Sequence, residues 1–531
     1  MNILHFFAQF GFFAAIISCT DPGTDNNGSG KLSSPTGLII EQTTDTSAKL
    51  SWTADKDAMG YYVFCKASES TYYVDPAATL PASSSDYTFE GLEQGYYSFG
   101  VQARADNAAD NSEIAWTSPM RIINYSKAPD ANIDDLSYNH AFLKVKYSFK
   151  RVSDTPEEYG ICLGGSKLPT IDDVVFHGPV LKNLAAEHII SSAVLEYGKE
   201  YHVRAFVKAE GEYWYSQEYI FTMKDDTQKI DLEWKKLSFD ALPSSIEVYE
   251  TTSALNDRKF HACYAVADCT GDVEFRVLNP SSKATLEKQA EAEGNCYVMI
   301  NGGIFGTKHI GVIYSKGEKQ AWRNEVDGNY WGYDEKLYNI TRAIIGTDAS
   351  GKPSAFWTSA PDESHVFFYD RPMTTVMGGS LWPAADENNP GPAQAWNPVN
   401  AISTGPMVLY NGKNLAIPVK NDAGYYISNY ECWAEDIFPT KPDRTAVGFT
   451  EDGKIVLFIC DGRIADSDGA YIHELGAIMK SIGCISAMNL DGGGSTAMIV
   501  NGVRLNSLLT GHGTATENRP VLSTLGFFKK K

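Results

Sequence analysis

The chain has 531 residues, too long for one ordinary core, which points to about three domains. An apolar content of 43% with 12% aromatics excludes a largely disordered chain. The formal net charge of −21 argues against a nucleic-acid partner.

Leu4 to Ile17 is a short apolar stretch, shorter than a membrane span needs, with the pattern of a secretory signal. The run Ile16-Ile17-Ser18-Cys19 resembles a bacterial lipobox. That resemblance implies cleavage before Cys19, lipidation of its sulfur and attachment to the bacterial cell envelope at the outer membrane, on its surface or periplasmic face. Membrane contact through this lipid alone is expected. The segment Met1 to His5 has no Lys or Arg, a departure from the usual signal. Thr20 to Gly30, rich in Gly, Asn, Asp and Ser, reads as a flexible tether.

Short alternating runs broken by turns come next. Ala48 to Trp52 and Tyr61 to Phe64 have strand composition, and Tyr97, Phe99, Val101 and Ala103 alternate with polar or small residues. Leu92, Gly95 and Tyr97 have the look of a tyrosine corner, and with Trp52 this segment resembles a fibronectin type III module. Leu195, Gly198 and Tyr201 repeat the corner with its full spacing. Phe142 to Phe149 and Tyr213 to Thr222 supply further strands, so a second immunoglobulin-like sandwich is expected. Exposed aromatics such as Tyr213 and Trp214 leave sugar binding open, but two tandem sandwiches are more simply a stalk.

After Ile230 the texture changes. Tyr297 to Ile300, Ala343 to Ile345 and Lys454 to Cys460 are longer apolar strands. Ala470 to Ile482 places Ile472, Leu475, Ile478, Met479 and Ile482 at helical spacing. The expected architecture is multidomain: two all-β immunoglobulin/fibronectin III-like sandwiches, then an α+β catalytic domain. The boundaries read as 1–18 signal, 19–33 tether, 34–125 and 126–226 sandwiches, and 227–531 catalytic. Of nine cysteines, Cys296 and Cys460 sit in apolar runs as buried thiols; Cys263 and Cys269 are close enough in sequence to bridge. No spacing suggests a metal site.

Chemistry gathers at loops that come after strands. Asn489-Leu490-Asp491-Gly492-Gly493-Gly494-Ser495-Thr496 sets a carboxylate beside three glycines whose backbone amides can cradle an anion. By contrast, Asn411-Gly412, Asp452-Gly453 and Asn501-Gly502 are ordinary turns. Asn301-Gly302-Gly303-Ile304-Phe305, Thr404-Gly405-Pro406, Arg444 to Phe449, Asp461-Gly462-Arg463, the Asp491 loop and Glu517 to Pro520 occur in this order. Together they resemble the phosphodiester glycosidase family, with Ile304 where that family has a Phe. The resemblance covers only the C-terminal domain. It implies hydrolysis of a sugar-1-phosphodiester, of the GlcNAc-1-phosphodiester type, at the glycosidic C–O bond.

Such a reaction needs positive charge on the leaving phosphate, which a planar guanidinium supplies through two bonds. Arg444 and Arg519 are the candidates, with Arg463 read as a surface ion pair. It also needs a carboxylate to stabilise the oxocarbenium-like centre or activate water. Asp491 ranks first, Asp461 second, and Glu474 third, since a carboxylate near a helix start also serves the helix dipole. Asn301, Gly302, Gly303, Thr404, Thr445, Gly492, Gly493, Gly494, Ser495, Thr496 and Arg519 are expected to line the substrate and phosphate site. His512 sits in a loop. No cofactor is required, although a divalent ion between Asp491 and a phosphate is conceivable. Two alternatives remain: a noncatalytic glycan-binding lipoprotein, or a phosphodiesterase cutting the P–O bond.

Overall fold

The computed structural model describes residues 31–67, 74–178, 181, 183–323, 325–327, 337–373, 385–416, 419–420, 426–427, 440–507 and 518–530. The expected signal segment, Cys19, the expected tether as far as Gly30, Cys432, His512 and Glu517 lie outside these residues. Among the described residues, strands dominate and α-helix is confined to Leu286–Glu293 and Ile472–Ser481. No helix there is long and apolar enough to cross a membrane. The chain divides into two compact units, Met1–Asp130 and Ala131–Lys531.

In the first unit a three-stranded antiparallel sheet (Thr36–Thr44, Ser47–Thr53, Asp86–Phe89) and a five-stranded sheet centred on Gly60–Ala67 and Gly95–Arg104 enclose one core. Phe99, Val101 and Ala103 are fully buried, as alternation along a half-buried strand requires. Trp52 packs against Tyr61, ring centroids 5.3 Å apart, and the Tyr61 hydroxyl accepts from the Asp55 amide at 2.6 Å.

The second unit begins with a three-stranded sheet (Asp130–Tyr138, Phe142–Lys150, Ala185–Ser191) and a five-stranded sheet built on Glu158–Gly164 and Glu200–Ala209. Both contribute to one apolar cluster that includes Leu143, Val145, Ile161 and Val203. The Glu196 amide donates to the Tyr201 hydroxyl at 2.9 Å, which closes the Leu195–Tyr201 corner.

Direct bonds tie these two sheets to the C-terminal part of the same unit. The half-buried Lys413 ammonium donates to the carbonyls of Ser192 (3.2 Å) and Leu195 (2.5 Å). His140 Nε2 lies 3.1 Å from the Ala416 carbonyl, and Lys480 pairs with Asp225 at 2.9 Å. The Asp225–Gln228 stretch is therefore pinned at its start.

The remainder is organised by an eight-stranded antiparallel sheet, in the order Lys235–Leu237, Ile246–Thr251, Ala262–Ala267, Ile455–Cys460, Arg444–Thr450, Cys484–Asn489, Met407–Tyr410, Lys413–Asn414. Its two faces serve different cores, which explains the unbroken apolar run at 455–460. Ile455, Leu457 and Ile459 face a five-stranded and a six-stranded sheet; Val456, Phe458 and Cys460 face the Ile472–Ser481 helix. Each fully buried side chain of this size contributes roughly 1.5–3 kcal/mol. The helix starts two residues later than the apolar pattern suggested, because Glu474 turns back to accept the Tyr471 amide at 2.9 Å.

The five-stranded sheet has the order Val273–Leu278, Thr524–Lys529, Cys296–Asn301, Met498–Val500, Val503–Arg504. It brings the end of Cys296–Asn301 beside the start of Arg444–Thr450 and the loop after Cys484–Asn489. Cys263 and Cys269 do not bridge; both are buried free thiols.

Candidate active site

Asn301 organises the convergence of these strand ends. It is fully buried, and its amide donates to the Asp491 carbonyl at 2.7 Å. Its side-chain oxygen accepts from the Thr445 hydroxyl (2.7 Å) and the Ala497 amide (3.1 Å). A side chain so fully committed positions the loop and has no capacity left for sugar hydroxyls, which corrects the expectation for Asn301. Thr445 is likewise buried, between Asn301 and Thr496 (3.2 Å), and holds the loop from beneath.

The Gly302 and Gly303 amides are taken by the Ser523 carbonyl (2.8 Å) and hydroxyl (3.2 Å). A Cβ at Gly302 would lie 2.3 Å from the Ser523 hydroxyl, so only glycine fits this approach. Thr404 is buried and accepts the Ile304 amide at 3.3 Å. Asn301, Thr445, Gly302, Gly303 and Thr404 brace the site, and the Gly302 and Gly303 amides are already in use.

In the Asp491 loop the Gly492 and Gly493 amides are committed as well, to the Asp491 carboxylate (3.0 Å) and the Asp443 carbonyl (2.9 Å), which corrects the expected cradle of glycine amides; what differs here is the side chains. Asp491 is half-buried, its amide held by the Gly302 carbonyl at 3.1 Å. Its carboxylate accepts from the Gly492 amide at 3.0 Å, the Ser495 hydroxyl bonds it, and the charge of Arg519 reaches it. Burial nevertheless prevails and pushes the carboxyl up to about 6. Arg519, partly exposed, donates to the Ser495 hydroxyl at 3.4 Å, so Ser495 joins the two opposite charges. Gly493, Gly494 and Ser495 form a single 3₁₀ turn, and Gly493 adopts φ +61°, a conformation glycine tolerates best. Thr496 comes next, buried.

Two side chains assigned no such place from the sequence stand against this loop. Asp443 is 1% exposed, and its carbonyl accepts the Gly493 amide at 2.9 Å. Its carboxylate pairs with Arg463 at 3.1 Å; burial pushes it up to about 6 against the pull of that arginine. Arg463 is an exposed ion-paired residue, as expected, and its partner Asp443 places it against this loop. A Cβ on Gly493 would lie 3.1 Å from its guanidinium, so a side chain there would crowd Arg463. The sequence signal for Asp443 was its place beside Arg444 at the head of a buried strand. His309 also lies close: it packs on Gly303, and burial lowers its imidazole to about 4 while Nε2 donates to the Ser403 carbonyl at 2.9 Å.

Three of the residues first in line for chemistry are placed elsewhere. Arg444 is buried, its guanidinium donating to the carbonyls of Ala470 (2.9 Å) and Thr440 (2.9 Å), so it braces the helix entry. Glu474 caps the same helix and pairs with Arg258 and Asn256 (2.7 Å). Asp461 is 1% exposed and bonds His261 (2.8 Å) and the Ser507 amide (3.2 Å). Each correction has one cause: the side chain's bonding capacity is filled from inside the protein. What stays open is the Asp491–Ser495–Arg519 group, with Asp443 and Arg463 on the far side of the glycines.

Residues 368–528 match the family model for phosphodiester glycosidase, and residues 33–119 match that for the fibronectin type III domain. Human N-acetylglucosamine-1-phosphodiester alpha-N-acetylglucosaminidase is 37% identical over 236 residues, covering 43% of this chain and 38% of that protein. The bovine protein of the same name is 23% identical over 239 residues, covering 43% and 37%. A solved zebrafish structure, the catalytic domain of that enzyme auto-inhibited by its pro-peptide, is 20% identical. It covers 57% of this chain and 89% of its own, with a TM-score of 0.37, too low to establish a shared fold. The chain spans less than two fifths of the length of these curated relatives. The first family match takes in Asp443, Arg463, Asp491 and Arg519. The chain therefore carries a phosphodiester glycosidase family domain at 368–528 and a fibronectin type III domain at 33–119.

Proposed function

We propose that this protein hydrolyses a glycan sugar-1-phosphodiester, of the GlcNAc-1-phosphodiester type, by breaking the glycosidic C–O bond. The observation that carries this reading is the half-buried Asp491 carboxylate, joined through Ser495 to Arg519 on a glycine loop. A phosphate diester is a good leaving group, so the greater need is for cations where its charge grows. Arg519 and Arg463 supply them from two sides of Gly493. Asp491, ionised above pH 6, flanks the anomeric carbon, where it attacks directly or activates water. Asp443, 1% exposed and bonded by Arg463, holds that guanidinium beside the loop.

In this reading Cys19 carries the lipid that holds the protein on the bacterial cell envelope. The strand-rich modules at 34–125 and 126–226 are two sandwiches that set the α+β glycosidase domain at a distance from it. The substrate class is supported by the family match alone.

Hydrolysis of a chromogenic sugar-1-phosphodiester by the full chain in ¹⁸O-labelled water tests the reaction. Label on the sugar is the expected result. Label on the phosphate would convert the reading to P–O cleavage, and binding without turnover would convert it to a glycan-binding protein.

A further inference from the structure

Away from the glycine loop, the other half of the eight-stranded sheet carries a group of side chains that the glycosidase chemistry does not use. Glu250 and Cys263 are direct cross-strand partners on Ile246–Thr251 and Ala262–Ala267. Directly opposed residues of an antiparallel pair present their side chains on the same face. His261 precedes Cys263 by two residues, the period that returns a side chain to that face. The three meet there: His261 Nε2 lies 3.1 Å from a Glu250 carboxylate oxygen and 3.9 Å from the Cys263 sulfur. One ligand atom from each lies within 4.8 Å of the others.

We propose that Glu250, His261 and Cys263 form a divalent cation site of the zinc class, with Asp461 as the positioning residue that orients the histidine. The donors are an imidazole nitrogen, a thiol sulfur and a carboxylate oxygen, a borderline-soft set that suits Zn²⁺ and disfavours Mg²⁺ or Ca²⁺. Tetrahedral zinc with bonds of about 2.0–2.3 Å separates neighbouring ligand atoms by roughly 3.4–3.6 Å. The observed 3.1 and 3.9 Å from Nε2 bracket that value, and the carboxylate oxygen and sulfur lie within 4.8 Å of each other, so closure requires a shift of about 1 Å or less.

A second observation comes from the other ring nitrogen. His261 Nδ1 lies 2.8 Å from the carboxylate of Asp461, itself 1% exposed and held by the Ser507 amide. A carboxylate on Nδ1 keeps the proton there and leaves the Nε2 lone pair for a metal, the arrangement that orients metal-binding histidines. Glu250 and His261 side chains are 34% and 17% exposed, so an ion would reach the buried Cys263 sulfur from their side, with water as its fourth ligand. Loading releases to solvent the Cys263 thiol proton and, where the imidazole is charged, its Nε2 proton. The ion would tie two neighbouring strands and, through Asp461, the end of a third.

Cobalt titration of the full chain tests this, because thiolate-bound Co²⁺ has a charge-transfer band in the near ultraviolet. One equivalent of Co²⁺ should develop the band, and Zn²⁺ should abolish it by displacement. Cys263→Ser should lose the band while Cys269→Ser, the next thiol, keeps it. Asp461→Asn should keep the band but weaken affinity about 10–100-fold. A folded wild-type chain that shows no band overturns the proposal, as does a band that survives Cys263→Ser. If Cys263→Ser does not fold, Glu250→Gln replaces it, and Co²⁺ affinity unchanged in that variant overturns the site. The readout is spectroscopic and independent of glycosidase turnover.

Discussion

Asp461 and Asp491 occupy matching places in the chain. Each comes after a buried strand of the same sheet, each precedes a glycine, and each stands in a motif of the glycosidase resemblance. The structure separates them by what supplies their partners. Asp461 is covered by an imidazole brought from 200 residues away and an amide from 46 residues away. Asp491 takes a local amide and a local hydroxyl, and its remaining side is left to Arg519. A carboxylate satisfied from within can hold a fold together. One satisfied mainly by its own loop and a partly exposed arginine remains available to a ligand.

The sharpest way to break this comparison is to neutralise each aspartate in turn. Asp491→Asn should lower kcat/KM by about 10³-fold or more, as expected for a group acting in the transition state. The same variant should be at least as stable as the wild type at pH 7. Its raised pKa means that stability declines as pH rises from about 4 towards 6, and the amide removes that loss. Turnover near wild type would remove Asp491 from the site.

Arg519→Ala should cost about 10²-fold in kcat/KM, with partial recovery in Arg519→Lys, which keeps the charge but not the planar fork. An unchanged rate for both would leave Arg463 to act alone on the phosphate. Asp461→Asn should do the reverse of Asp491→Asn: in metal-free buffer it should lose about 1–3 kcal/mol of stability by leaving His261 and the Ser507 amide poorly matched. Its kcat/KM should stay within a few-fold. A stable Asp461→Asn variant with no turnover would equate the two aspartates after all. The smallest effect is the pH profile. The acidic limb of kcat/KM should lie near pH 6, where Asp491 ionises, and be absent from the residual activity of Asp491→Asn.

Much of this could be read from the residues, and the failures have a common cause. Alternation at Phe99, Val101 and Ala103 and the helical spacing of Ile472, Leu475 and Ile478 are local periodicities, and each describes its own burial. The Asp491 loop was legible because three glycines in a row signal a loop in the sequence itself. Asn301, Arg444, Asp461 and Glu474 were ranked by residue type and strand-end position, and type does not reveal how many partners a side chain will find. Arg444 meets the Ala470 carbonyl and Asp461 meets His261 only because of sheet order, which no local pattern contains. Asp443 and Arg463 escaped for the same reason: their pairing spans 20 residues and two strands.

The Lys413 ammonium has a consequence for where the protein can be cut. Its bonds to the Ser192 and Leu195 carbonyls, and the Lys480–Asp225 pair, cross the sequence boundary near residue 227. A fragment beginning there would leave a half-buried cation without acceptors and strip the cover from Ala416. The shortest independently folding piece that contains the glycine loop should thus begin near residue 131, and a protease acting between 224 and 229 should nick the backbone without releasing either part.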